Sequence, residues 1–208
     1  MGLLFKPKLI ISLTAVAYVW SLPFLSKLGF AQPNSNSISA FIANPMATGA
    51  MSAISFIPLT LIWEYQDIIV TFRSKEINLK IQNIIKITTL LFQCFYGLFL
   101  TCTYGFVPDW LHTFSASSFS ISFMIHAGLL VTYVQPNKCT LVLLGIGISS
   151  SFCILILLII NIQTLWFWVL ECVGMTTMFI FTPLEWYFIQ IDIPGSLQDS
   201  IEELPNFI

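Results

Sequence analysis

Apolar residues in this chain come in six long runs, separated by short stretches of polar and turn-forming residues. The runs cover about 9–28, 46–72, 84–107, 114–134, 139–160 and 165–191. Each is close to the roughly 20 residues that a helix needs to cross about 30 Å of hydrocarbon. Between the first two lies a polar loop at 31–45, containing Ala31-Gln-Pro-Asn-Ser-Asn-Ser-Ile-Ser and ending at Asn44-Pro45. The pattern predicts an all-α polytopic membrane protein. Its domain is expected over 1–191, with six transmembrane helices in one bundle and a short acidic tail over 192–208.

Charge orients the helices. Lys6 and Lys8 precede the first run, Arg73, Lys75, Lys80 and Lys86 lie around the connection between the second and third, and Lys138 lies between the fourth and fifth. These alternate connections share one side of the membrane, and Lys27 alone falls on the other. Positive charge collects on the cytoplasmic side, so both termini are expected there. The loops near 31–45, 106–113 and 161–164 should then face outward. The start of the chain loosely fits a cleaved signal peptide. However, the first run is long and the charge alternation works with it in place, so it is expected to be retained. All six tryptophans, Trp20, Trp63, Trp110, Trp166, Trp168 and Trp186, fall near predicted helix ends, as an interfacial belt would.

Composition narrows the partners. Only 9% of the 208 residues are charged, too few to coat a soluble globule. A net charge of -2 with one arginine argues against nucleic acid. Membrane lipid and other membrane subunits are the partners that remain. Cys94, Cys102, Cys139, Cys153 and Cys172 are scattered, with no zinc or disulfide spacing, and neither a metal nor another cofactor is expected.

Polar groups within the runs need an account, because each is costly in lipid. Glu64 and Asp67 fall near Arg73 and Lys75 and read as interfacial ion pairs, and Glu185 is similarly placed. Glu171 and His126 lie deeper. Ser115, Ser118, Ser122 and His126 share one helix face, and His112 continues the line toward the outer surface beside Asp109. The stripe reads either as a lipid-headgroup or proton site or as interhelical hydrogen bonding with small packing residues. Glu171 is expected to meet the stripe from the sixth run.

Asp109, His112 and the nearby serines also suggest a hydrolase. Two histidines in the whole chain are too few for a metallohydrolase, and no Gly-x-Ser-x-Gly elbow is present. The last run has no lysine for retinal, and nothing resembles a channel filter.

Three stretches carry a family resemblance. They are Leu22-Pro-Phe-Leu-Ser26-Lys-Leu-Gly29 with Pro33, Tyr96-Gly97 through Pro108-Asp-Trp-Leu-His112 and on to His126, and Leu170-Glu171-Cys172 with a Glu185-Trp-Tyr-Phe finish. The chain resembles the Frag/DRAM/Sfk group of six-pass membrane proteins, which includes the damage-regulated autophagy modulators and the post-GPI-attachment lipid-remodelling factor. It departs from the family at Lys27, where Asp is usual, and in a third helix that keeps only Gly97 and, beyond it, Gly105. The resemblance implies the Golgi, lysosomal or plasma membrane and a role in lipid or GPI-anchor homeostasis or autophagy. Ser26, His112, His126 and Glu171 are the positions it carries over.

The reading that joins these observations is lipid binding in an inter-helix cavity. His126 and Glu171 would form its floor, with His112 and Asp109 at its mouth. A non-catalytic subunit of a larger membrane complex is the alternative, and an intramembrane lipid hydrolase is a third.

Overall fold

A computed structural model describes residues 2–33, 36–73, 78–103, 105–162 and 165–192, and at 2–8, 72 and 165 the backbone alone. The tail expected over 192–208 lies beyond Asp192 outside these residues, as does Lys75. The described chain is all helical. Its helices are α1 (Gly2–Lys27), α2 (Ile38–Phe41), α3 (Pro45–Arg73), α4 (Leu79–Thr101), α5 (Asp109–Leu129), α6 (Lys138–Ile159) and α7 (Leu165–Asp192), with a π-helical turn, Leu130–Val134, extending α5. Six of the seven are long and apolar enough to cross a membrane.

Local chemistry sets the ends. α1 stops where Gly29 turns to φ +82 and the Phe30 amide reaches back to the Leu25 carbonyl, a glycine-based helix stop. α3 starts at Pro45, a residue pre-shaped for the first helical position, with the Asn44 side chain accepting from the Ala47 amide at 2.8 Å. α4 starts when Asn78 accepts from the Lys80 amide, and α6 when Asn137 accepts from the Cys139 amide.

The helices depart from the hydropathy pattern at both ends of α4 and at the start of α5. α4 occupies Leu79–Thr101 rather than 84–107, and α5 begins at Asp109 rather than 114. The first turn of α4 holds Lys80 and Gln82, polar residues that an apolar window excludes. At its other end the apolar run includes 102–107, but α4 ends at Thr101, Cys102 leaves helical geometry and Gly105 beyond it adopts φ +82. The polar 31–45 loop also contains a helical turn, α2, capped by Ser37 and burying Ile38 and Phe41.

α7 packs against α6, α1 and α3. α4 packs on α5, α5 on α6, and α3 on both α1 and α4. The α6–α7 contact is the closest at one point: a Cβ on Gly147 would lie 2.5 Å from Thr177 Cγ2. The Ser150 hydroxyl donates across the same seam to the Leu170 carbonyl. Small residues allow such approach where lipid supplies no hydrophobic drive between helices.

The interior is aromatic, built on Phe92, Tyr96, Phe123 and Phe179. Outward, large apolar side chains such as Phe56, Ile87, Val142, Phe152 and Ile159 are exposed. That surface suits lipid as solvent, as an integral membrane protein requires. Four tryptophans, Trp20, Trp63, Trp110 and Trp166, are exposed; Trp110 and Trp166 stand in the first turns of α5 and α7, Trp20 two turns from the end of α1, and Trp63 deeper, nearly three turns inside α3. The other two depart from the expected belt and face inward. Trp186 stacks on Tyr65 at 4.6 Å, and Trp168 meets Trp20 and Phe41 edge-on.

Candidate functional site

Polar side chains gather at three levels inside the helices. The first is under α2. His112, near the start of α5, is buried, with Nδ1 2.7 Å from the Cys102 carbonyl and Nε2 3.2 Å from the Ser39 hydroxyl. A carbonyl only accepts, so Nδ1 carries the proton and Nε2 accepts from Ser39. Ser39 in turn accepts from Ser37 at 3.1 Å, and Ser37 accepts from the Ala40 amide. Glu171 reaches the same turn from α7: one carboxylate oxygen accepts from the Ile38 amide. Ser26 donates to the Gln32 carbonyl at 2.8 Å, and the Gln32 side chain donates to the Ala43 carbonyl at 3.0 Å. His112, Ser26 and one oxygen of Glu171 therefore fasten the 28–44 segment over this end of the helices.

Asp109 does not join His112 in a catalytic pair. It stands exposed in the first turn of α5, while both ring nitrogens of His112 are taken by Cys102 and Ser39. Its charge suits the helix N-terminus.

Below α2, between α4, α5, α6 and α7, lies a cleft of about 30 Å³. Its walls are mostly apolar, with Phe99, Phe119, Phe123 and Met175 among them. Its polar groups are Glu171, Ser120 and Ser151. The second carboxylate oxygen of Glu171 has no partner among the described residues. Glu171, Phe119 and Gly174 are partly exposed, so the cleft is not sealed.

The serines of the expected stripe do not reach this cleft. Ser115 donates back to the His112 carbonyl at 2.8 Å and Ser122 to the Phe119 carbonyl at 2.9 Å, the ordinary back-bonding of a helical serine. Ser118 is half-buried. Ser120, two positions from both Ser118 and Ser122, is the α5 serine that lines the cleft with Glu171. The register of Ala116, Ser120 and Phe123 carries the signal, and the small run Gly145-Ile-Gly147-Ile-Ser-Ser-Ser151 marks the opposing wall.

His126 forms the third level, apart from Glu171. It is buried, with Nδ1 3.1 Å from the Thr88 hydroxyl, and Thr89 donates to Gln66 Oε1 at 2.8 Å beside it. Phe92 and Phe181 pack on the imidazole. On α7, Glu171 and the Phe181–Thr182 pair are about 15 Å apart at 1.5 Å per residue, so the single continuous floor expected from His126 and Glu171 is two separate sites. Thr88, Thr89 and Thr182 carry little signal in the sequence, because threonine is common in apolar helices. Gln66 alone stands out there, as an amide deep in the second run.

The far end of α7 holds Glu185, buried and paired with Arg73 at 2.8 Å while accepting from the Asn137 amide at 2.9 Å. Arg73 also pairs with Asp192. Lys86 meets Asp67 at 3.0 Å on the surface. No group of three or more His, Cys, Asp or Glu lies together among the described residues.

In comparisons with models of known families, with curated proteins and with solved structures, nothing matches this chain.

Proposed function

We propose that this chain is a six-pass membrane protein with both termini cytoplasmic, and that it binds a membrane lipid in the cleft among α4, α5, α6 and α7. The orientation rests on the seven lysines and arginines on alternate connections against Lys27 alone. It puts α2 and the cleft in the outer leaflet. The observation that carries the lipid reading is Glu171: a carboxylate on an apolar-walled cleft, one oxygen fixed by Ile38 and the other without a partner among the described residues. A carboxylate only accepts, so the complementary headgroup is a donor, a hydroxyl or an amine, which Ser120 and Ser151 can also engage. The room suits the tip of a headgroup, with the acyl chains left in the bilayer. The resemblance to the Frag/DRAM/Sfk group adds the endomembrane setting, in the Golgi, lysosome or plasma membrane, and a role in lipid or GPI-anchor homeostasis.

Native mass spectrometry after gentle extraction tests this reading. The wild type should keep a lipid whose mass names its class, and Glu171→Gln, folded to the same yield, should lose it. Equal lipid retention in both proteins sinks the cleft as the site. A stoichiometric set of other polypeptides in place of lipid makes the chain a subunit.

A further inference from the structure

The walls of the cleft narrow its headgroup to one chemistry. No lysine or arginine lines it, so nothing there balances the Glu171 carboxylate, and an unbalanced charge in low dielectric is costly. The only described partner of that carboxylate is the Ile38 amide. Ser120 from α5 and Ser151 from α6 stand on the same cleft, whose wall is polar in part. Ser115, Ser122 and Ser149 donate back to carbonyls of their own helices. The hydroxyls of Ser120 and Ser151 have no hydrogen-bond partner among the described residues. One carboxylate and two hydroxyls, from three helices, are thus left for a ligand.

Four kinds of headgroup can be weighed against this set. A hydroxyl donates to a carboxylate but leaves its charge in place. An anionic group meets no cation in these walls. A quaternary ammonium brings the charge and no N–H. It is also too large, because a cleft of about 30 Å³ holds about two or three water-sized groups. Phe99 and Phe119 stack on each other at 5.8 Å rather than around a central space, so they do not form the aromatic cage that takes such a cation. A primary ammonium is small, carries the opposite charge and has three donors, one each for Glu171, Ser120 and Ser151.

On the reading of this cleft as the lipid site, we infer that the group it takes is a lipid primary ammonium. Glu171 binds it by charge, and Ser120 and Ser151 by hydrogen bonds. An ethanolamine phospholipid carries such a group, and so does a sphingoid base. The alkyl chains of either stay in the bilayer, and a phosphate, having no cation in the cleft, stays outside it.

The test is a competition among headgroups. Full-length protein is placed in bilayers with equal amounts of phosphatidylethanolamine, its N,N-dimethyl derivative, phosphatidylcholine, phosphatidylglycerol and sphingosine. It is then extracted gently, and the lipids it retains are counted by mass spectrometry. Phosphatidylethanolamine or sphingosine should exceed phosphatidylcholine by about tenfold, the worth of one charge-assisted hydrogen bond, with the dimethyl lipid between them. Whichever of the two amines leads names the source. Glu171→Gln should abolish the preference, and Ser120→Ala, which leaves the Ile38 bond untouched, should lower it severalfold. Retention without headgroup preference that Glu171→Gln removes keeps the cleft as the lipid site and overturns the ammonium. An amine preference that both variants leave unchanged also overturns it, because the selection then lies elsewhere. Equal retention of every lipid in wild type and both variants removes the cleft itself.

Discussion

The two acidic side chains of α7 that lie within the helical packing are four turns apart and have opposite surroundings. Glu185 is fully enclosed, and both of its oxygens are used: Arg73 takes one and the Asn137 amide the other. Through them it fastens α7 to the end of α3 and to the turn before α6. Glu171 has one backbone amide as its partner and no cation among the described residues, and its free oxygen faces the cleft. Both sites place a carboxylate at a cost in low dielectric. Only at Glu185 does the fold recover that cost internally. The difference separates a carboxylate that holds the helices together from one that is left available to something outside the chain.

The largest effect should come from breaking the closed site. Arg73→Ala leaves Glu185 charged and buried with only an amide to stabilise it. Losing one member of a buried pair costs about 3–5 kcal/mol, visible as a large drop in thermal unfolding temperature in detergent. Arg73→Ala combined with Glu185→Gln should recover most of the loss, because the stranded charge is gone. If the double variant is as unstable as the single, the ion pair is not what Arg73 contributes.

Next is the seam that sets where both carboxylates stand. Gly147→Ala places a Cβ against Thr177, and overpacking of this kind costs about 1–3 kcal/mol. Thr177→Ala in the same chain should return part of it, since it removes Cγ2, the atom nearest the new methyl, and Oγ1, while Cβ at 2.8 Å stays. The two effects should be non-additive, as expected for residues in direct contact. Additive effects would show that α6 and α7 already have slack at this point.

A smaller, local effect belongs to the open end. Ser37→Ala removes the cap of α2 and the first link of the chain to Ser39 and His112. Loss of such a cap costs about 1 kcal/mol. The change should appear as faster amide exchange at Ala40 and Phe41 with little change in the global melt. A global loss of several kcal/mol would mean that α2 is part of the main cooperative unit.

How much of this was legible beforehand depends on what each feature is made of. The six long helices are written as apolar composition, and composition survives errors of register. Of the three displaced helix boundaries, the start of α4 depends on one residue, the cap Asn78, and the 102–108 turn between α4 and α5 includes Gly105 at positive φ, neither of which hydropathy registers. The site was half legible. Glu171, His112 and His126 stand out because ionisable groups are rare at membrane depth. Their partners did not, because pairing is set by helix packing. The serine stripe of α5 reads along Ser115, Ser118 and Ser122, while Ser120 is the α5 serine that lines the cleft. No spacing rule within α5 reveals which way α6 and α7 face it. The same holds for His126, whose neighbours Thr88, Gln66 and Thr182 come from three other helices.

The smallest stability effect sharpens the comparison most. Glu171→Gln keeps an oxygen that can accept from the Ile38 amide and removes the charge. It should therefore shift stability by less than about 1 kcal/mol, near the net worth of one hydrogen bond. The same substitution at Glu185 leaves Arg73 with Asp192 as its one carboxylate and should cost about 1.5–3 kcal/mol, the worth of a hydrogen bond between charged groups. Chemical denaturation of the two variants side by side in one detergent gives the ratio directly. A large ratio means that the Glu171 charge is not there for the fold, which leaves ligand recognition as its role. Near-equal losses would make Glu171 a second structural carboxylate, and the cleft would lose the one polar group that sets it apart from ordinary helix packing.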